Sequence, residues 1–232
     1  MKRNIVRRAK LDTMATQREN ILSTATQLFY EQGYDKTSFQ ELSDILDITK
    51  SLISYHFKSK SLLAKEVTEQ YSVNNKNAIA FKLYQQYFSK HRYDLQLSSA
   101  VEIRLSTELI FRDPNAARYI IETSNGNYED SYISHYKQFY TIHDRQYRLD
   151  INRDIDEISL LARAASGASQ AVITDYINGN IDCTMNECLD YIVEMIFRFM
   201  RIDEKRISEI IDESKNIISQ IDFEFLPYFE IK

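Results

Sequence analysis

Between Thr37 and Lys60 the apolar positions of TSFQELSDILDITKSLISYHFKSK fall into two short helical stripes separated by a break. Ser38 followed by Glu41 has the form of a capping box, so a short helix is expected from Phe39, with Phe39, Leu42, Ile45 and Leu46 on one face. The pattern stops at Asp47 and Ile48, and Thr49 is placed to cap a second helix after a turn of about three to four residues. On that second helix Ile53 and Phe57 point one way. At about 100° per residue, Ser51, Ser54, Tyr55 and Lys58 gather on the other side. The outline is that of a helix-turn-helix.

The same periodicity continues on both sides. Thr16 with Glu19 reads as the cap of a longer helix whose stripe is Ile21, Leu22, Ala25, Leu28 and Phe29 and which ends at Gly33. A helix from about Ser59 carries Leu62, Leu63, Val67 and Tyr71 toward Ala78, and it is expected to be the only physical link between a small head and a larger body. The stretch from Ile79 to Leu97 is aromatic and basic. Ser99 with Glu102 predicts a helix to about Arg112, and Asp113-Pro114 opens the next, ending near Gly126. Residues 128–149 are crowded with Tyr128, Tyr132, Tyr136, Phe139, Tyr140 and Tyr147. The segment Ile155 to Ile177 is rich in alanine, with Gly167 in its middle. A mid-helix glycine costs about 1 kcal/mol relative to alanine, so close approach of another helix is its natural compensation. Thr184 with Glu187 caps a helix that is apolar nearly all round, which requires burial on two sides. A last amphipathic helix with Ile207, Ile210, Ile211, Ile218 and Ile221 precedes an aromatic tail, Phe223 to Phe229, expected to fold back onto the body.

Composition supports an all-α chain. Of 232 residues only four are Gly and two Pro, and no Asn-Gly or Asp-Gly hairpin separates alternating strands. Length permits one large domain or a small one joined to a larger one. The net charge of −5 argues against coating nucleic acid by charge alone. Its distribution matters more: residues 1–60 carry ten Lys/Arg against seven Asp/Glu, and the other 172 carry 19 against 27. A cationic head on an acidic body suits a protein that touches DNA with one end. The stretch KRNIVRRAK, residues 2–10, has five positive charges and no negative one. It reads as an arm that lies along DNA on binding or as a disordered, solubilising tail.

No apolar run approaches the roughly 20 residues of a membrane span, and the basic N-terminus lacks the apolar core of a signal peptide, so a cytoplasmic protein is expected. Cys183 and Cys188, about 140° apart on a helical projection, suit neither a metal pair nor a disulfide. His135 and His143, about 80° apart on one helix, could face one cavity, but further ligands for a metal are lacking, and no metal or cofactor is expected. No GxSxG elbow, phosphate-binding glycine loop, HExxH or CxxC is present, so no enzyme is expected.

A helix ending at Gly33, then Tyr34, Thr37, a capped short helix, Ile48-Thr49-Lys50-Ser51 and Tyr55-His56-Phe57-Lys58-Ser59-Lys60-Ser61-Leu62-Leu63 together resemble the N-terminal domain of TetR-family transcriptional regulators. The resemblance covers roughly Arg18 to Val67. It implies a second helix entering the major groove, an aromatic at Tyr55 and a lysine at Lys60 holding phosphates, and a helical body that binds a ligand and dimerises. The family often has a tyrosine where this chain has Ser54.

The expected organisation is a basic arm (1–15), a helix-turn-helix domain (16–62) and a helical effector-binding and dimerisation domain (63–232). The expected function is sequence-specific regulation of transcription, by repression relieved when a small-molecule effector frees the protein from a palindromic operator. The alternative is a helical interaction module of the same fold that does not bind DNA. Candidate DNA-binding residues are Thr37, Ser38, Lys50, Ser51, Ser54, Tyr55, His56 and Lys60. Phe111, Tyr136, Tyr140 and His143 are candidates for lining an effector cavity. Ala164, Gly167, Ala168, Ala171, Ile192 and Ile196 are candidates for a homodimer interface. The expected partners are double-stranded DNA with an inverted repeat, the effector and a second copy of the chain, with no membrane.

Overall fold

The computed structural model of the chain describes residues 2–124 and 129–232, with the side chains of 15–124 and 133–232. Among them the fold is all-α: α1 (Lys2–Glu31), α2 (Phe39–Leu46), α3 (Lys50–His56), α4 (Lys60–Leu83), α5 (Leu95–Arg112), α6 (Pro114–Ser124), α7 (Glu129–Tyr147), α8 (Glu157–Ile177), α9 (Met185–Phe199) and α10 (Glu204–Gln220). A π-helical turn, Tyr84–Phe88, prolongs α4. The tail forms a minimal antiparallel pair, β1 (Phe225–Leu226) and β2 (Glu230–Ile231), with Phe225 opposite Ile231.

Short polar side chains set most of the helix starts. Ser38, Thr49, Ser59, Asp94, Asp156, Thr184 and Asp203 each accept a hydrogen bond from a backbone amide of the first turn. The box at Thr184 and Glu187 is complete. Three expected starts differ. At Ser38 only half the box forms, because the Glu41 carboxylate accepts from Gln32 Nε2 (2.8 Å) instead of turning back to the cap. Helix α5 begins four residues before Ser99, where Asp94 Oδ1 accepts from Leu97 N (3.1 Å), and Ser99 is buried within it. Helix α1 runs back to Lys2, so Thr16 lies inside it; no Gly or Pro interrupts residues 2–31, and Arg, Lys and Ala propagate a helix well. Gly33 and Gly179 adopt positive φ after α1 and α8, as the end of a helix demands. Gly126 and Tyr128 lie outside the described residues.

Packing divides into two cores. One joins α1, α2, α3 and α4 with parts of α5 and α6, the end of α10 and the C-terminal hairpin. The other is built from α7, α8, α9, α10 and the remaining face of α5. The head therefore shares a core with the body, and α4 is not its only link. Tyr119 on α6 is fully buried and donates to Ala64 O (2.8 Å) on α4, with Thr68 Oγ1 at 3.0 Å. Arg118 donates to Tyr30 O (2.6 Å), Tyr30 donates to Asp113 (2.9 Å), and Phe229 of the tail packs on Tyr30, Tyr71 and Tyr119. Such contacts escape a residue-by-residue reading because their partners are distant in sequence.

In the second core, Arg104 is 2% exposed. Its Nε donates to Ser214 Oγ (3.0 Å), its guanidinium pairs with Asp190, and burial pulls its pKa down to about 10. It ties α5 to α9 and α10. Cys183 precedes the cap of α9 and so lies off the helical projection; both cysteines are free. No described helix is long and apolar enough to cross a membrane.

Candidate functional site

Two short helices present the candidate DNA-reading surface. Asp47 ends α2 in the left-handed region (φ 51°), a conformation that Asp tolerates, and its amide donates to Ser43 O. Thr49 Oγ1 then accepts from Leu52 N (3.3 Å) and lies 2.9 Å from Ser51 Oγ, which fixes the first turn of α3. Ile53 and Phe57 are buried against Leu42 and α1, and Arg18 lies over the Phe57 ring (4.8 Å) while pairing with Glu66 of α4. With its inner face so held, α3 exposes Lys50, Ser51, Ser54, Tyr55 and, just beyond its end, Lys58. Ser38 is exposed at the start of α2, and His56 is half-buried with its ring edge-on to Tyr55. Serines leave room for a helix to lie deep in a groove, Lys50 supplies a long donor at the N-terminal edge, and the helix N-terminus adds partial positive charge.

The remaining two DNA candidates bond to the turn before α2, Lys60 from a half-buried position and Thr37 from within the core. Lys60 Nζ donates to Tyr34 O (2.9 Å) and Asp35 O (3.3 Å) and sits 4.2 Å from the centre of the Tyr34 ring. Thr37 is 1% exposed; its hydroxyl donates to Gly33 O (2.8 Å) and its amide to Tyr34 O (3.2 Å). Thr37 thus stabilises the turn between α1 and α2 in this conformation.

A cavity of about 260 Å³ opens between α4, α5, α6, α7 and the tail. Tyr71, Ile103, Leu109, Ile120, Phe139 and Phe229 form its apolar wall, and Lys76 faces Glu102 across it at 3.9 Å. Of the four expected lining residues only Tyr136 reaches this space, and its hydroxyl donates to Ser169 Oγ (2.9 Å). Tyr140 is fully buried behind the wall, its hydroxyl directed to Ile196 O (3.4 Å), and burial raises its pKa. His143 is also buried, with Nδ1 2.9 Å from Phe139 O. Phe111 belongs to a separate surface cleft with Tyr176, ring centres 4.4 Å apart. Reasoning from the sequence missed Tyr71, Lys76, Glu102 and Phe229. No local signal singled out Lys76 and Glu102, because α4 and α5 carry other charges, among them Lys65, Glu66, Glu69, Arg104 and Glu108.

On the far side, Ala164, Gly167 and Ala171 of α8 are exposed, Ala168 is half-buried, and Leu160 and Tyr191 add large exposed apolar side chains on α8 and α9. A Cβ at Gly167 would meet nothing within 4 Å among the described residues, so none of the described helices packs closely on it. Ile192 and Ile196 are turned inward, 1% and 0% exposed, and belong to the body's own core. No group of three or more His, Cys, Asp or Glu suited to hold a metal occurs among the described residues.

Residues 21–67 match the family model described as bacterial regulatory proteins, tetR family. Over 65 residues, 28% of this chain, the sequence is 37% identical to the HTH-type transcriptional regulator AcrR of Shigella flexneri, and the match spans 30% of that protein's length. RolR in complex with resorcinol is similar in fold, with a TM-score of 0.61 over 87% of this chain and 95% of RolR at 14% identity. A putative TetR-family transcriptional regulator from Syntrophomonas wolfei str. Goettingen gives 0.51 over 81% of this chain and 96% of that one, also at 14% identity. Residues 21–67 thus carry the N-terminal domain of the tetR family of bacterial regulatory proteins, here joined to an all-α body whose fold is that of solved regulators of this family.

Proposed function

We propose that the chain is a homodimeric cytoplasmic repressor that reads an inverted repeat in double-stranded DNA and lets go of it when a small molecule fills the cavity between α4 and α7. The observation that carries this reading is the exposed outer face of α3, Lys50, Ser51, Ser54 and Tyr55, on a helix whose inner face is locked by Ile53 and Phe57. Lys50 is the long donor suited to a base edge, and Tyr55 and Lys60 are suited to phosphates. Dimerisation is supported by the uncovered small-residue face of α8, Ala164, Gly167, Ala168 and Ala171, and it would set two heads on one two-fold axis.

Release by a ligand is supported by shared walls. Tyr71, Ile120 and Phe229 line the cavity and also belong to the core that holds the head, so filling the cavity acts on the elements that position α3. RolR, of the same fold, binds resorcinol. A mobility-shift assay with the full chain and the promoter beside its own gene tests the proposal. A retarded complex with a two-fold symmetric footprint is expected; no complex at micromolar protein would favour an interaction module that does not bind DNA.

A further inference from the structure

We infer that the ligand taken by this cavity is a small organic cation, its positive charge held by Glu102 and its body by the surrounding rings. The inference rests on reading the cavity as the effector site and names the chemistry of what enters it.

The cavity wall is mostly apolar, with the rings of Tyr71, Tyr136, Phe139 and Phe229 around it, and Asn75 and His135 are among its polar side chains. Within that wall stands one carboxylate, Glu102, whose pKa burial raises above its ordinary value, opposed by the positive charge of Lys76. No hydrogen bond is made to that carboxylate by the described residues, and its ion pair with Lys76 is long, 3.9 Å. This partly buried carboxylate is met by water and a distant ammonium rather than by a protein donor, and a closely seated counter-charge is what would stabilise it.

The two members of the pair differ in what a ligand could gain from them. The Lys76 side chain is 53% exposed at the edge of the cavity, so water already solvates its ammonium. Glu102 is less exposed, 34%, and burial raises its pKa, a penalty that a counter-ion would relieve. A ligand anion would compete with water for Lys76 and meet the Glu102 carboxylate. A ligand cation would displace the Lys76 ammonium into solvent at little cost, take its place beside Glu102, and present its charge to the faces of several rings. The volume, just below the roughly 300–1,000 Å³ of drug-sized sites, suits a body of one ring.

Calorimetric titration of the full chain with phenethylammonium, phenethyl alcohol and phenylacetate, nearly equal in shape and different in charge, tests this. Phenethylammonium is expected to bind about tenfold or more tightly than the alcohol, and phenylacetate least. Glu102→Gln should bring the cation down to the level of the alcohol while leaving the affinity for the alcohol unchanged, which also shows that the variant is folded. Lys76→Met should tighten the cation further. The inference is overturned if the cation binds no better than the alcohol, if phenylacetate binds best, if none of the three binds, or if Glu102→Gln keeps the preference. A mobility-shift assay with the same compounds separates this from the broader proposal. A cation that binds with the expected preference and leaves the DNA complex intact sinks the release mechanism and not the cation site, whereas release by the neutral or anionic compound alone does the reverse.

Discussion

The reading face of the head and the cavity of the body are built on opposite plans. The face comes from one stretch, Lys50 to Tyr55, whose exposed side chains project from a helix packed by Ile53 and Phe57. The cavity comes from α4, α5, α6, α7 and residue 229, and several of its lining residues, Tyr71, Leu109, Ile120 and Phe229 among them, serve at the same time as core. In the head, chemistry and folding occupy different sides of one helix, so either can change alone. In the body they share the same residues, so a ligand that changes one changes the other. The proposed coupling between the two regions rests on this asymmetry, because Tyr71, Ile120 and Phe229 are shared between the cavity and the core that supports α3.

The largest expected effect comes from a change in the body that never touches the head. Ala168→Glu places a charge on the small-residue face of α8, beside exposed Ala164, Gly167 and Ala171. Sedimentation should show monomers where the unmodified chain forms dimers, and operator affinity should fall about a hundredfold or more as the advantage of two linked heads is lost. A variant that remains dimeric and binds normally would move the interface elsewhere.

Changes on the reading face should be smaller and of two kinds. Lys50→Ala should cost about 1–3 kcal/mol, concentrated at one base position in each half-site. Lys60→Ala should weaken all sequences nearly alike and flatten the salt dependence by about one unit of slope. Lys60 also bonds to Tyr34 O and Asp35 O, so its loss should loosen the turn before α2 as well. Binding selection on both variants checks the division: the same shift in sequence preference in each would erase it.

The shared core offers a sharper test. Tyr119→Phe removes the donor to Ala64 O from a fully buried site, which should cost about 1–3 kcal/mol. Because that core joins α1–α4 to α6 and the tail, calorimetry should show one cooperative transition moved to lower temperature. Two transitions, with the head unaffected, would mean that the regions fold independently.

What could be read in the sequence was local. The caps at Ser38, Thr49, Ser59 and Thr184, the turn at Asp47 and the outward set on α3 depend on residues within four positions of one another. The all-α class followed from the same signals. The cavity could not be read, because Tyr71, Lys76, Glu102 and Phe229 come together only through tertiary packing, and tyrosine crowding in 128–149 pointed to its neighbours: Tyr140 and His143 lie behind the wall. Ile192 and Ile196 show a related difficulty. A helix apolar on most sides does not say which side faces its own chain, and here these two do. Competition between caps is equally hidden: Asp94 and Ser99 are both plausible starts, and Asp94 is the one used.

The smallest expected effect separates the regions by pH. His143 on α7 is 1% exposed, its Nδ1 lies 2.9 Å from Phe139 O, its Nε2 has no hydrogen-bond partner among the described residues, and its ring packs on Phe139 (4.2 Å) and Phe197. Burial lowers its pKa below the ordinary 6.5; Lys76 lowers it further, while the hydrogen bond to Phe139 and the charge of Asp94 raise it in part. The unfolded chain therefore takes up a proton near pH 6.5 that the folded chain refuses. Its contribution to stability is complete above about pH 6.5 and is lost as pH falls from there toward the folded pKa, at most about 1.4 kcal/mol per pH unit for one proton. Glu102 works in the opposite sense, since its raised pKa gives a contribution that is complete below its ordinary 4.5 and lost as pH rises through the folded value. The two partly cancel between their windows, so the variant must isolate one. Thermal unfolding between pH 7 and pH 5 should lose stability less steeply in His143→Gln than in the unmodified chain, and an unchanged slope would show that another group carries the acid sensitivity of the body.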